Sequence, residues 1–385
     1  MGITQRTIYV GVGGTGLKIG EHLERALRRE ICGVDGDNLK RVGGPFTTME
    51  SFELPSFFQS IYADFASGEL VSLRSRLHQS PRIVDRTASF ATNLIPAVAS
   101  SSAASKYLRQ NQDNTTRSWL PADDGGEPQI APLSSGAGQF PTVGRVALFH
   151  SLATSGFQSV LGNQLSTAIS RISGSLGLLT AIASGNATDQ VVVYVGFSVS
   201  GGTGCGIAYD VLHLLGAELE ASFGANFRLI PIVVMPSAFD MLDDGKQIAA
   251  KLNAAKALAD LQRLADHQLT GADQDSFTIN YPNMKSIHLG SATIPGIFVF
   301  EKSVGITQSD LFKAIAENVL SQISSTNGDD AGNGNVQSWV ETAVNHVPKR
   351  REPHGSGVGL QPFIPSMSVS LSIPIEVVSN LLALR

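Results

Sequence analysis

Apolar runs alternate with amphipathic stretches along much of the chain. Runs typical of buried strands lie at 7–12, 191–197, 227–236 and 294–301. Helical spacing of apolar residues occupies 17–29, 143–161, 165–183, 207–221, 246–267, 308–325 and 336–347. Strands that alternate with helices predict an α/β fold with a mainly parallel, Rossmann-like sheet flanked by helices on both faces.

Two stretches interrupt this pattern. Residues 33–135 combine serine-rich helical patches with the loop-like segment LPADDGGEPQIAPL, so we interpret about 33–130 as an insertion. Residues 365–374, PSMSVSLSIP, alternate as a strand would, and a short apolar helix follows. We therefore expect a main domain over 1–307. Over 308–385 we expect a long helix, a second helix and a strand–helix remnant.

Two glycine-rich loops each lie between a predicted strand and a predicted helix. Residues 11–16, GVGGTG, satisfy G-x-G-x-x-G, the dinucleotide fingerprint, and residues 198–206 read SVSGGTGCG. Such glycines let backbone amides approach phosphate oxygens, and Thr203 adds a hydroxyl donor. One dinucleotide needs only one such loop. Two loops at the ends of parallel strands therefore favour a single triphosphate that contacts both.

Phosphate charge would have to be neutralised without a P-loop lysine. No G-x-x-x-x-G-K-[ST] sequence occurs in the chain. Backbone amides, helix dipoles and a bound Mg²⁺ are the groups that could take that role.

Composition excludes several classes of protein. The chain is 42% hydrophobic and 16% charged, with a net charge of −5, which argues against a general nucleic-acid-binding surface. Cys32 and Cys205 have neither metal-ligand spacing nor the pattern of a disulfide framework. No apolar run reaches the length of a membrane span, and the first residues lack signal-peptide features. We therefore expect a cytoplasmic protein.

The motifs resemble those of the tubulin/FtsZ superfamily, and most of all those of the divergent bacterial tubulin-like proteins. GGTGCG is similar to the family signature G-G-G-T-G-[ST]-G, with Ser200 and Cys205 as departures. VGVGGTGLK resembles the first phosphate loop of FtsZ, and SSGAGQF at 134–140 resembles the tubulin loop that senses the γ-phosphate. KLNAAKALADL at 251–261 is similar to the tubulin helix whose asparagine holds guanine. PSAFDMLDDGK at 236–246 lies where the family has its ribose-contacting loop.

These pieces follow the family order and cover about half of the chain. The resemblance implies GTP or GDP with Mg²⁺ as ligand, head-to-tail self-assembly into filaments, and room for regulatory protein partners that the sequence does not identify. The nucleotide-binding residues that it implies are Gly13, Gly14, Thr15, Gly16, Lys18, Gly136, Ala137, Gly138, Ser200, Gly201, Gly202, Thr203, Gly204, Asp244 for ribose and Asn253 for guanine. A second residue facing guanine would come from helix 308–325, where Phe312, Glu317 and Asn318 compete.

The predicted catalytic segment departs from the family. NVQSWVETAVNHVP at 335–348 resembles the tubulin helix after the catalytic loop, but Gln337 and Val340 stand where FtsZ has aspartates. In the family, the next subunit supplies this acid, which positions water against the γ-phosphate. Glu341 is the catalytic candidate that remains, with Asp329 and Asp330 before it. We expect slow GTP hydrolysis, and a C-terminal domain that is reduced or missing.

Other interpretations stay open. The first loop alone would suit a Rossmann-type NAD- or FAD-dependent oxidoreductase, with Asp35 or Asp37 as the acidic residue. A serine hydrolase elbow at 196–200 fails because Ser200 stands where glycine is needed. A non-hydrolysing scaffold or switch that holds a nucleotide is the remaining alternative.

Several of the implied residues also have ordinary explanations. Asp244 could begin a helix, Asn253 could be a polar surface residue, Lys18 could be solvated, and Glu341 could lie on a helix surface.

Overall fold

The structure is a computed structural model. It describes residues 2–111, 116, 119–120, 123, 125–183, 187–270, 278–289, 293–325 and 362–366, and only the backbone of residues 2, 269, 270 and 325.

A seven-stranded sheet forms the centre of the described chain. Its strands are β2 (Arg6–Val12), β3 (Phe58–Ala63), β4 (Ala88–Phe90), β5 (Val191–Ser198), β6 (Phe227–Val234), β7 (Ile297–Phe300) and β9 (Phe363–Pro365). The order is β4-β3-β2-β5-β6-β7-β9, and every neighbouring pair is parallel. Two short strands, β1 (Gly2–Ile3) and β8 (Ser324–Ser325), pair antiparallel beside it. The predicted parallel α/β fold is thus confirmed.

Helices cover both faces of this sheet. One face packs against α5 (Ser101–Asn111), α6 (Pro141–Phe157), α7 (Asn163–Ser173), α9 (Gly202–Phe223) and α10 (Asp244–Thr270). The other packs against α1 (Gly13–Leu27), α3 (Ser67–Leu77) and α11 (Gln308–Ile323). Shorter helices are α2 (Asn38–Val42), α4 (Pro81–Thr87) and α8 (Leu176–Ile182). Side chains of β2 alternate between the two cores, with Ile8 and Val10 in one and Tyr9 in the other, as expected for a strand buried on both sides.

The interpretation of 33–130 as an insertion needs correction, because β3 and β4 lie inside it. β3 was hidden by two polar residues in its centre, Gln59 and Ser60, both fully buried. The Gln59 side chain accepts a hydrogen bond from Arg171 at 3.2 Å. Ser60 donates to the Glu24 carboxylate at 2.6 Å. Buried polar groups that have such partners fit a core, and here they interrupt the apolar run by which a buried strand is recognised.

A buried polar network joins β3 to the helix that follows β2. Glu24 of α1 is fully buried and also accepts hydrogen bonds from the Tyr62 hydroxyl at 2.7 Å and the Arg28 guanidinium at 3.0 Å. Arg28 in turn donates to the Thr87 hydroxyl at 3.3 Å. A buried carboxylate needs such partners, because leaving its charge uncompensated is strongly destabilising.

Helix boundaries differ from the prediction in two places. α1 begins at Gly13, so the glycines of the first loop form its first turn. The break expected near 161 lies at Gly156, whose φ of +74° and ψ of 157° are not helical, and helical structure then resumes through a π-helical segment, Gln158–Gly162, into α7, which ends at Ser173. The predicted helix at 336–347 and most of the predicted strand at 365–374 lie outside the described residues.

Within the described residues, no single helix combines the length and apolar character of a membrane span. The bent pair formed by Pro141–Ser173 and Leu176–Ile182 passes that test only when its two parts are taken together.

Two buried histidines predict how stability depends on pH. Burial lowers the pKa of His150 and that of His213, and neither ring nitrogen of His150 has a hydrogen-bond partner. Below about pH 6.5 the unfolded chain therefore binds protons that the folded chain does not, so the free energy of unfolding falls as the pH is lowered. Each such histidine contributes a slope of at most about 1.4 kcal/mol per pH unit.

Urea denaturation between about pH 7 and about pH 5.5 measures this slope. We expect His150→Phe, which keeps an aromatic ring against Tyr107, to reduce the slope relative to the wild type. Equal slopes for the two proteins would contradict the assignment of His150.

Candidate functional site

Three loops meet at the edge of the sheet formed by the carboxyl ends of its strands. β2 runs directly into α1 and β5 leads into α9, and these two strands are neighbours. The chain continues from β2 toward β3 on one side and from β5 toward β6 on the other, so the strand order reverses between them. Such a switch point is where open α/β sheets bind ligands. The third loop, 134–140, precedes α6 and lies against the second.

The loops pack backbone against backbone. Gly13 has φ +68°, and a Cβ there would lie 2.9 Å from the Gly204 nitrogen. A Cβ at Gly202 would lie 2.5 Å from the Ala137 carbonyl oxygen. The Gly202 amide donates to the Gly138 carbonyl at 2.7 Å. Glycine is therefore required for the three loops to approach one another, whether or not a ligand is present.

Two other glycines of the loops face open space. A Cβ at Gly14 or at Gly201 would meet no atom within 4 Å. Gly14 lies in the first turn of α1, and Gly201 directly precedes the first residue of α9. The first amides of a helix lack intrahelical acceptors, and the helix dipole favours an anion beside them. The Ser200 hydroxyl is buried without a hydrogen-bond partner, so it is a further polar group at this edge.

Asp64, which the sequence analysis missed, is the carboxylate at this edge. It follows β3 directly and is 3% exposed. Its Oδ1 accepts the amides of Phe65 at 2.7 Å and Ala66 at 3.3 Å, and the Thr203 side chain is a further hydrogen-bond partner. Burial raises the pKa of this carboxyl, whereas the hydrogen bonds oppose that shift. An acid directly after a strand is the signal that would have identified it, but β3 itself had not been recognised.

Asn253 links two of the loops. From α10, its side-chain Nδ2 donates to the Gln139 carbonyl at 3.0 Å and to the Ser200 carbonyl at 3.2 Å. Its own carbonyl accepts the Cys205 thiol at 3.7 Å. The structure thus brings Asn253 to the glycine loops, on their backbone atoms.

The remaining residues of the loops are less enclosed. Thr15 is half-buried, Lys18 is exposed on α1, and Gly136 is partly and Gly138 fully exposed, whereas Ala137 is buried. Lys18 is thus a cation in open solvent rather than one held against the loops.

Asp244 is the first residue of α10 and is exposed. The carboxylate that accepts a backbone amide of that helix is its neighbour, Asp243, from Lys246 at 2.9 Å. A cavity of about 530 Å³ lies between α10 and the carboxyl ends of β6 and β7. It is lined by Met235, Pro236, Ser237, Asp240, Gln247, Lys251, Ala254, Ala255, Leu258 and Glu301, and not by Asp244.

The three candidates on α11 have different surroundings. Phe312 is buried in the core, Glu317 pairs with Arg29 at 3.2 Å, and the Asn318 carbonyl oxygen of the side chain accepts from Gln322 at 2.7 Å. The catalytic candidate Glu341, with Asp329, Asp330, Gln337 and Val340, lies outside the described residues.

The acidic residues suggested for a dinucleotide enzyme lie elsewhere. Asp35 pairs with Arg41, and Asp37 pairs with Lys40 at 2.7 Å and accepts from Ser51 at 2.7 Å. Both precede α2 rather than following a strand of the sheet. The hydroxyl of Ser198 accepts the Ser200 amide at 3.1 Å.

Within the part of the chain that the structure describes, no group of three or more histidine, cysteine, aspartate or glutamate side chains could hold a metal ion.

Comparison with known proteins identifies a matching family model and several similar solved structures. A family model described as "Tubulin like" matches residues 8–385. Comparison with curated proteins gives no match. Among solved structures, the chain is similar to CetZ2 from Haloferax volcanii, a GTPγS-bound protofilament, at 14% identity and TM-score 0.35, covering 82% of this chain and 57% of that one.

Two TubZ structures are also similar. TubZ of Clostridium botulinum phage c-st is 13% identical with a TM-score of 0.38, over 83% of this chain and 61% of that one. TubZ of Bacillus thuringiensis serovar israelensis, in a GTPγS-form protofilament, is 13% identical with a TM-score of 0.39, over 88% and 62%. This chain thus spans about three fifths of the length of these structures. Because the family model covers nearly the whole sequence, the chain belongs to the tubulin-like family.

Proposed function

We propose that the chain binds a guanine nucleoside triphosphate at the three glycine loops and assembles head to tail into filaments. The observation that carries the nucleotide part is the pair of helix N-termini, α1 and α9, that meet at neighbouring strands with open space beside Gly14 and Gly201. This arrangement offers several amides and two helix dipoles to one polyanion.

The phosphate end can be assigned from the groups at the sheet edge. Amides of 14–16, of Gly201 and of 203–204 donate to phosphate oxygens, together with the partnerless Ser200 hydroxyl, whereas the Gly202 amide is engaged by the Gly138 carbonyl. Asp64 is the carboxylate that would hold Mg²⁺, directly or through water, with the phosphates supplying other ligands. When bound, Mg²⁺ neutralises phosphate charge that this chain does not offset with an enclosed lysine, since Lys18 is exposed.

The residues proposed to contact the ribose and the base are assigned from the family resemblance. Asp244 for ribose and Asn253 for guanine remain proposals carried over from the resemblance. The cavity of about 530 Å³ lies at the ends of β6 and β7, near loop 236–246. The Gln247 side-chain nitrogen donates to the Asp240 and Leu242 carbonyls, and the Asp240 carboxylate pairs with Lys302. The polar groups offered to a ligand are therefore the Gln247 side-chain oxygen and the Glu301 carboxylate. Such acceptors fit the donors of a nucleoside.

Assembly is supported by apolar residues exposed beside the loops. Phe140 is 45% exposed at the end of loop 134–140, and Ile248 and Leu252, 60% and 67% exposed, lie one turn apart on α10 next to Asn253. Exposed apolar groups around a ligand edge suit a contact with another subunit. A head-to-tail contact is heterologous and therefore propagates as a filament. The similar CetZ2 and TubZ structures are themselves named as GTPγS protofilaments.

Hydrolysis should be slow. Gln337 and Val340 replace the acids of the family motif, which leaves Glu341, Asp329 and Asp330 as the carboxylates that the next subunit could receive. The same replacements favour a second candidate function, a scaffold that holds nucleotide without turnover. We place either protein in the cytoplasm, where unpaired cysteines such as Cys32 and Cys205 stay reduced.

The first prediction identifies the ligand. We expect guanine nucleotide to be released when the purified protein is denatured, and chromatography of the released material measures it. Release of NAD or flavin would instead favour the oxidoreductase.

The second prediction separates ligand space from loop packing. Gly14→Val fills the open space beside α1 without meeting protein atoms, so we expect GTP affinity to fall about tenfold or more, while the unfolding free energy stays within about 1 kcal/mol of wild type.

Gly202→Ala is the matched contrast. Its Cβ would overlap the Ala137 carbonyl, so we expect a loss of about 1–3 kcal/mol of stability. Titration calorimetry and urea denaturation measure both. Unchanged GTP binding by folded Gly14→Val would remove the first loop from the site.

The third prediction concerns assembly. GTP should promote pelleting more strongly than GDP, because the γ-phosphate alters loop 134–140 at the subunit contact. Sedimentation and phosphate release on one sample measure both activities. Pelleting with little phosphate release favours the slow enzyme or the scaffold, and Glu341→Ala then tests any residual turnover. Rapid turnover that survives Glu341→Ala, Asp329→Ala and Asp330→Ala would contradict our placement of the catalytic segment.

A further inference from the structure

Asn253 donates both of its hydrogen bonds to backbone carbonyls of two different loops. A side-chain amide has two N–H donors, and those of Asn253 reach the Gln139 and Ser200 oxygens at 3.0 and 3.2 Å. The residue lies in the middle of α10, where the neighbouring Ala254 is 3% exposed and packs in the core. Its position is therefore set by the helix rather than by either loop.

The bond to Ser200 fixes the direction of an amide that faces the ligand space. In a trans peptide the C=O and the following N–H point in opposite directions. The Ser200 carbonyl points toward α10, so the Gly201 N–H points away from α10. Gly201 is one of the two loop glycines with no atom near its Cβ position. Holding the Ser200 carbonyl thus fixes the direction of the amide donor of a glycine that lies beside open space.

The bond to Gln139 extends the same control to the third loop. Gln139 follows Gly138, whose carbonyl accepts the Gly202 amide at 2.7 Å. Two adjacent carbonyls of loop 134–140 are therefore held, one by the second glycine loop and one by Asn253. A shift of either loop would break a bond to the same side chain.

We propose that Asn253 is a positioning residue for phosphate binding, which sets the Gly201 amide and couples loop 134–140 to loop 198–206. This role differs from the contact with guanine that the resemblance implies, because it acts through the backbone and is independent of the base. It rests on the proposed binding of a polyphosphate at these loops.

The test compares a ligand that has a base with one that has none. GTP and inorganic tripolyphosphate, each with Mg²⁺, are titrated calorimetrically into wild type and into Asn253→Ala, which removes both hydrogen bonds without adding a charge near the phosphates. We expect both affinities to fall by the same factor, about tenfold, the worth of two ordinary hydrogen bonds. Asn253→Gln, which retains the donor, should recover part of the loss.

The matched control is Asn226→Ala. Its amide also bridges two acceptors, both on Asp189 at 3.2 Å, but it follows α9 at the opposite edge of the sheet. We expect it to leave both affinities unchanged. If Asn253→Ala weakened GTP alone and left tripolyphosphate unchanged, the base-contacting role would be correct and the positioning role wrong.

Amide hydrogen exchange on the ligand-free protein separates this proposal from the proposed function. Faster exchange at 139–140 and 201–202 in Asn253→Ala than in wild type, with unchanged exchange in β6, is the expected result. Unchanged exchange at those amides would overturn the positioning role even if GTP binds. If wild type bound neither ligand, the proposed function would fail and the role in binding with it, whereas the exchange result would still report the link between the loops.

Discussion

The contact between the backbones of three loops is the constraint on which the rest of this structure depends. α1 and α9 lie on opposite faces of the sheet, yet their first turns meet because β2 and β5 are neighbours and because Gly13 and Gly202 have no side chain to keep the loops apart. The hydrogen bond from the Gly202 amide to the Gly138 carbonyl then closes the third loop onto the second. Two helix dipoles consequently point at one volume, which a lone βα turn could not achieve.

Much of the fold could be predicted from the sequence, because the strands with continuous apolar character belong to the middle of the sheet. β2, β5, β6 and β7 are of this kind. β3 was not predictable by pattern, since Gln59 and Ser60 are buried through partners that lie far away in sequence, Arg171 and Glu24. The sequence predicts that α1 begins at residue 17 rather than at Gly13, for a different reason. Glycines have poor helix propensity, but here they form the first turn because packing requires them.

The loops of the candidate site could be predicted from the sequence, and the contacts of its side chains could not. Motifs identified all three glycine loops, because backbone geometry limits which residues can occupy them. The partners of Asn253, Thr203 and Asp64 depend on where helices and strands lie relative to one another, which no local pattern records. Asp243 and Asp244 show that a local pattern does not distinguish even two adjacent residues of the same type. They are adjacent and chemically identical, and only the direction in which the chain enters α10 decides which carboxylate accepts the Lys246 amide.

The packing of the loops also determines which of their positions can accept substitutions during evolution. Position 202 accepts no side chain for reasons of backbone contact alone, so it stays under purifying selection even in a lineage that has lost every use for a ligand. Positions 14 and 201 have no such packing constraint, so the fold itself would let them accept side chains. A related sequence that keeps Gly202 but has bulky residues at 14 and 201 would therefore be expected to retain this fold and the contact between the loops, with the space beside α1 and α9 filled.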